Sequence, residues 1–314
     1  MIDLPSPSHA TPGTDIPLTR PPDQVRRERL VAFLLAACGG VSVLVMAGMI
    51  LVLLTETVRF FSQVSVWEFF TATRWTPLFR DKHFGILPLL TGSVLVTVGA
   101  ALVAVPAGTL TAIYMSEYAS RRVRLILKGA MGVLAGIPTV IFGYFALTLV
   151  TPLLRTVFPS AGVFNAASAS LALGVMVLPT VATLSEDALR GVPGSLREGA
   201  LALGATPAQV TARVTIPASF SGILAAFVLA ISRAFGETMV VAIAAGNSPR
   251  IVLNPLESVQ ALTAYILQAG QGNILAGTLD YRTLFAVGMM LFLITMAMNS
   301  VSQWIFSRSG GRGS

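Results

Sequence analysis

"SEDALRGVPGSLREGALALGATPAQVTARVTIPAS", Ser185 to Ser219, is a helix-forming connection set between two long apolar runs. Its punctuation is regular. Ser195 followed by Glu198 is a capping-box pattern that starts a helix at Leu196. Gly204 is a natural stop. Thr206, Pro207 and Gln209 then supply an N-cap, a first-turn proline and a second capping box. Pro217 marks the next boundary, just before the apolar sequence resumes. The spacing predicts helix, tight turn, helix, tied at both ends to apolar segments. A DNA-binding helix-turn-helix has the same outline, but the second helix here offers only Arg213 as a base, too little to hold a phosphate backbone. An amphipathic loop lying on a membrane surface is the other simple reading.

The composition sets the context. The chain has 314 residues, 54% hydrophobic and only 11% charged, with a mean hydropathy of +0.77. Soluble domains carry about 25% charged residues, so this chain is expected to be an integral membrane protein. The net charge of +7 then reads as an orienting excess in loops rather than as a nucleic-acid surface. Cys38 is the one cysteine, so no internal disulfide or thiolate metal site can form. His9 and His83 lie far apart in polar stretches and give no metal or catalytic pair. Neither Lys82 nor Lys128 sits in a phosphate-cradling Walker A loop. If ATP drives this protein, another polypeptide binds it. No cofactor, metal or catalytic residue is expected.

Six apolar runs, near 30–54, 86–115, 129–151, 167–185, 219–246 and 284–306, are each about the ~20 residues that cross a bilayer. Pro88, Pro106, Pro138 and Pro179 fall within them, which membrane helices tolerate. Residues 1–29 are proline-rich and too polar to bury a core, and read as a disordered tail. They do not read as a signal peptide, because the apolar run that follows is too long. Residues 307–314 form a second tail. Basic residues cluster in the N-terminal tail, at Arg121, Arg122, Arg124 and Lys128, in the 186–217 connection and at the C-terminus. The positive-inside rule therefore places both termini in the cytoplasm. Trp67, Phe69, Phe70 and Trp75, in the first outer loop, read equally as an interfacial anchor or as the packing of a small cap. No internal repeat is evident, so an inverted-repeat transporter gains no support.

With the membrane class in place, the opening stretch resembles the EAA loop of ABC importer permeases. The family pattern is E-A-A-x3-G-x9-I-x-L-P. Here it reads Glu198-Gly199-Ala200, then Gly204, then Val214-x-Ile216-Pro217, with identical spacing. Gly199, Val214 and Ile216 depart from the pattern, each to another small or aliphatic residue. The resemblance implies that this loop forms coupling helices docking into a cleft of an ATPase subunit. Glu198, Gly199, Ala200, Gly204, Ile216 and Pro217 would carry that role.

The fifth apolar run holds an oddity, "ISRAFGETMVVAIAAGN" from Ile231 to Asn247. A charge at the middle of a membrane helix costs ~2.5–3.5 kcal/mol on insertion scales. In a continuous helix, Arg233 and Glu237 would share one face at i, i+4 and could neutralise each other. Such a pair is either a structural bridge or the border of a water-filled path. Gly222, Ala226 and Ala230 lie on the same stripe, and small residues there suit either an open path or close helix packing. In the path reading, the planar fork of Arg233 suits the oxygens of a passing anion.

This segment and "LAGIPTVIFGYFAL" (Leu134 to Leu147) resemble the permeases of the high-affinity phosphate ABC importer. Phe84 to Ser120 is similar to the same family's second span and following loop. The likeness extends over nearly all of residues 30–306 and is closer to the PstC-type permease than to its PstA-type partner. It implies an all-α polytopic membrane protein with six transmembrane helices and the type I ABC importer permease fold. It implies that Arg233 and Glu237 border the phosphate path. It also implies a PstA-like second permease, two PstB-like ATPases and a PstS-like extracytoplasmic phosphate-binding protein, in the inner membrane. Another oxyanion such as sulfate or molybdate, a non-transporting membrane sensor, and a channel are the rival readings.

Overall fold

The computed structural model describes residues 22–310 apart from 78 and 273. The expected N-terminal tail up to residue 21, and 311–314 of the expected C-terminal tail, lie outside the described residues. The chain divides into two compact units, Met1–Val52 and Leu53–Ser314. The described part of the first is helical throughout, as the leading portion of α1 (Pro22–Phe61). That helix starts at Pro22, so residues 22–29 are helical rather than part of an irregular tail. Proline is pre-organised for a first helical turn, and the Gln, Arg and Glu residues that follow are good helix formers.

The second unit continues through α2 (Val66–Thr71), α3 (Leu87–Ile113), α4 (Arg121–Gly136), α5 (Thr139–Phe145), α6 (Thr151–Val157) and α7 (Ala166–Arg190). Then come α8 (Gly194–Ala202), α9 (Pro207–Val210), α10 (Ile216–Phe235), α11 (Met239–Ala244), α12 (Leu262–Gln271) and α13 (Leu279–Gly310). Three π-helical turns, Tyr114–Tyr118, Ala146–Val150 and Thr211–Thr215, extend or join neighbouring helices. Extended pairing among the described residues is limited to one isolated bridge, Trp75 to Phe84. Six helical stretches are long and apolar enough to cross a membrane: Arg27–Phe61, Leu87–Tyr118, Thr139–Val157, Ala166–Arg190, Pro207–Phe235 and Leu279–Ile305. The all-α, six-span expectation therefore holds.

The third and fifth spans depart most from the apolar pattern. The third span begins at Thr139, not at 129. Pro138 has no N–H to give and disfavours a helical residue before it, so Ile137 is extended with ψ 128° and α4 stops at Gly136. The apolar residues of 129–136 belong to α4, a separate amphipathic helix that follows a serine cap at Ser120. The fifth span differs more, and is taken up below with the site.

The core is built on α3 and α7, which pack along their lengths. Small residues set the distance. A Cβ on Gly174 would fall 2.8 Å from Val103 Cβ and 3.0 Å from the Ala100 carbonyl oxygen. A Cβ on Gly108 would fall 2.7 Å from Val181 Cβ. With no water to squeeze out between lipid-embedded helices, this close contact is the main source of association. Ser170 Oγ adds a buried hydrogen bond to the Val96 carbonyl at 3.1 Å.

A second cluster gathers the aromatics between α1 and α3. Phe69 and Trp75 are buried with Phe60 and Phe84, and Trp75 meets Tyr265 edge-on at 5.0 Å. Trp67 and Phe70 stay exposed. Of the four candidate anchors, two thus pack a cap and two are available to an interface.

Candidate functional site

The 185–219 connection folds as two helices, with one cap displaced. α8 begins at Gly194 behind Pro193 and has no side-chain cap. The Ser195–Glu198 capping box does not form, because Pro193 takes the N-cap position and Gly194 starts the helix, which places Ser195 inside its first turn. Glu198 and Gly199 are exposed on α8, and Ala200 is half-buried. The C-terminal end is as expected. The Ala205 N–H reaches the Ala200 carbonyl at 3.2 Å, and the Gly204 N–H reaches Leu201 at 2.9 Å. This is the Schellman closure, and it puts Gly204 in the left-handed region at φ +83°. Nothing lies within 4 Å of where its Cβ would stand. Glycine is demanded here by backbone conformation, not by close crossing of the two helices.

The second capping box does form. Gln209 N–H donates to Thr206 Oγ1 at 3.4 Å, and Thr206 N–H donates to Gln209 Oε1 at 2.9 Å. Pro217 does not end this helix. α9, the π-turn and α10 make one continuous stretch from Pro207 to Phe235. The Ile216 N–H bonds to Thr211, five residues back, so the widened turn accommodates the proline that follows. The second helix of the connection is therefore the start of the fifth span itself. Ile216 packs against the buried cluster of Ala112, Leu189 and Ile223, which joins the ends of α3 and α7 to α10, while Pro217 is exposed.

At the other end of α10 the structure overturns the expected charge pair. α10 stops at Phe235, and a new short helix, α11, starts at Met239. Arg233 and Glu237 do not share a helix face and form no ion pair. Arg233 sits in the last turn of α10, exposed, and its NH1 donates to Thr180 Oγ1 on α7 at 3.1 Å. Glu237 lies past the break, where its Oε1 accepts the Met239 N–H at 3.1 Å. Each charge thus meets a helix end of the sign that favours it, the cation at a C-terminus and the carboxylate at an N-terminus. The chain leaves the helix at Phe235-Gly236-Glu237, with Gly236 at the C-cap position.

The broken backbone is not left unsatisfied. Thr263 Oγ1 donates to the Glu237 carbonyl at 2.8 Å, and the Glu237 N–H reaches Ala234 at 3.2 Å. Further on, Val259 N–H pairs with the Ala245 carbonyl at 3.0 Å, and Leu262 N–H donates to Ser93 Oγ at 2.9 Å. Irregular backbone at membrane depth is tolerated where protein buries it or where it lines a cavity. Discontinuous helices of this kind present helix ends and backbone groups to a charged solute.

The small-residue stripe now has a definite role. Ala226 and Ala230 are buried, and a Cβ on Gly222 would fall 2.7 Å from Ala188 Cβ. The stripe packs α10 against α7 and comes to the surface at Arg233. Sequence reasoning missed Thr180 and Thr263, which hold Arg233 and the break. A hydroxyl in an apolar run carries no signal until its partner is known. Among the described residues, no group of three His, Cys, Asp or Glu could hold a metal ion.

The fold is that of type I ABC importer permeases. In the crystal structure of a bacterial ABC transporter involved in the import of the acidic polysaccharide alginate, one chain matches 93% of this chain and 99% of its own length. The TM-score there is 0.63 at 15% identity. The MetNI methionine ABC transporter in an inward-facing conformation matches with TM-score 0.52 and 21% identity, over 70% of this chain and 94% of that one. Residues 104–309 match the family described as "Binding-protein-dependent transport system inner membrane component". The probable ABC transporter permease protein YqgH of Bacillus subtilis (strain 168) is 35% identical over 246 residues, 78% of this chain and 79% of the relative. The phosphate transport system permease protein PstC of Mesorhizobium japonicum is 31% identical over 265 residues, 78% of this chain and 80% of the relative.

The chain belongs to the family of binding-protein-dependent transport system inner membrane components. It is a multi-pass permease subunit of an ABC importer, and ATP hydrolysis belongs to separate subunits. Such a permease works with a second permease, ATPase subunits and a binding protein.

Proposed function

We propose that this permease carries inorganic phosphate, with Arg233 on the path and the 195–217 loop as its connection to the ATPase. The observation that carries the reading is the exposed guanidinium of Arg233 at the broken end of α10, held by Thr180 and unpaired with Glu237. A fixed cation left without a carboxylate partner suits a passing oxyanion, and its fork matches two oxygens at once. Glu237 stands nearby with its carboxylate engaged by α11, and limits how tightly an anion is held; passage needs binding weak enough to release. The relatives named as phosphate transport permeases support phosphate over other oxyanions.

In this reading Glu198, Gly199, Ala200 and Gly204 face the ATPase, while Ile216 and Pro217 join the loop to the span. The partners are a PstA-like permease, two PstB-like ATPases and a PstS-like binding protein. Both termini are cytoplasmic, 30–306 is the permease domain, and 1–29 and 307–314 flank it as tails, with α1 reaching into the first and α13 into the second. Uptake of labelled phosphate by membranes carrying the complex tests the substrate. A hundredfold excess of sulfate or molybdate is expected to leave it unchanged, and equal competition by either would assign the path to oxyanions at large.

A further inference from the structure

α8 buries none of its own residues. It nevertheless has a firm polar hold on the bundle through one side chain. Arg197 NH2 donates to the Leu189 carbonyl at 2.7 Å and lies 3.2 Å from Glu117 Oε1. Leu189 is in the last turn of α7, and Glu117 is in the π-turn that extends α3. The same guanidinium thus spans the ends of the two helices that form the core. Glu117 is held in place for it, since Ser116 Oγ donates to Glu117 Oε1 at 2.9 Å.

The ground beneath the clamp is fixed by a second set of charges. Glu186, on α7, is fully buried. Lys128 Nζ lies 2.8 Å from its Oε2, with Arg190 NH1 at 3.7 Å and Arg124 Nε at 3.9 Å from Oε1. Arg124 also donates to the Met115 carbonyl at 2.7 Å and the Ser116 carbonyl at 3.3 Å, which ties α4 to the π-turn. A buried carboxylate is stable only while its cations surround it. These contacts tie the ends of α3, α4 and α7 together at the point where Arg197 meets them.

We infer that Arg197 is a positioning residue that clamps α8 to the α3–α7 core, so that movement of the coupling loop is passed to the membrane helices instead of being absorbed by the loop. The clamp rests on the reading of 195–217 as the ATPase connection. Apart from it, the main packing of α8 is against α9 and the π-turn that follows, its neighbours within the same loop. With it, a push on α8 is delivered to the ends of both core helices. The other side of the connection is already rigid, because α9 runs on into α10.

The test compares variants in the whole reconstituted complex, reading ATP hydrolysis with phosphate-loaded binding protein against hydrolysis without it. Arg197→Ala is expected to lower that stimulation about tenfold, the loss of charge-assisted hydrogen bonds, with ATPase still copurifying. Glu117→Gln is expected to lower it less, and the double variant no further than Arg197→Ala alone, because Arg197→Ala already removes the contact with Glu117. Arg197→Lys, which reaches one partner at a time, is expected to retain part of the stimulation, and it carries the test if the alanine variant does not accumulate. Gly204→Val serves as the reference for the loop. Native stimulation in Arg197→Ala and Arg197→Lys beside a loss in Gly204→Val overturns the clamp and leaves the loop reading standing. Native stimulation in all three overturns the loop reading, and the clamp with it.

Discussion

Arg233→Gln is expected to lower phosphate uptake by about a hundredfold or more while the complex assembles normally. The magnitude follows from removing a charged, two-pronged donor, since hydrogen bonds to a charged group contribute about 1.5–3 kcal/mol each in net terms. Normal assembly follows from geometry. Arg233 is exposed and bonds to a neutral threonine rather than to Glu237, so its loss strands no buried carboxylate. A structural bridge would behave differently, with assembly and uptake falling together. Arg233→Lys separates charge from shape: it keeps the cation and loses the fork, and is expected to recover only part of the uptake. Uptake at the native rate in Arg233→Gln would remove this residue from the path.

Gly204→Val is the second large effect. A β-branched residue at φ +83° meets its own backbone, at a cost of about 1–2 kcal/mol. The Schellman closure between Ala200 and Ala205 then competes with a frayed loop, and phosphate carried per ATP hydrolysed is expected to fall about tenfold. The space around the missing Cβ is open. Gly204→Asn, which tolerates the left-handed conformation and has room for its side chain, is therefore expected to stay close to native. If steric contact between the two helices were the reason for glycine, both variants would fail alike. Measured ATP hydrolysis and uptake in the same vesicles distinguish the two.

Much of the fold can be read from the chain because bilayer thickness and apolar run length are directly linked. All six spans are visible in the sequence. What hydropathy could not resolve is where an apolar stretch changes direction. Gly129 to Gly136 and Val240 to Ala245 carry no charge and continue the apolar runs, yet the first belongs to an amphipathic helix and the second lies beyond a helix break. Pro138 signals the first break by its missing N–H. The second break falls between Arg233 and Glu237 without such a signal: Gly236 stands at the C-cap with φ -85°, a conformation open to any residue.

The loop was more legible at Gly204 and Pro207 than at Pro217. Gly204 and the Thr206–Gln209 box act through local backbone bonds that spacing alone reveals. Pro217 misled because a π-turn upstream makes room for it, and a π-turn has no sequence signature of its own. The polar partners of the site, Thr180 and Thr263, depend on helix pairs far apart in the chain. The same holds for Glu117 and Arg197. The basic residues of the 121–128 segment were counted as orienting charges, and Arg124 and Lys128 prove also to surround the buried Glu186.

The central claim is that this permease passes phosphate along a path bearing Arg233, driven by ATP through the 195–217 loop. The most direct measurement is phosphate entry into vesicles holding the purified four-part complex, with ATP on the ATPase side and binding protein on the other. Entry is expected only when ATP and phosphate-loaded binding protein are both present, and is expected to disappear in Arg233→Gln. Entry without ATP, or entry unaffected by Arg233→Gln, would contradict the account.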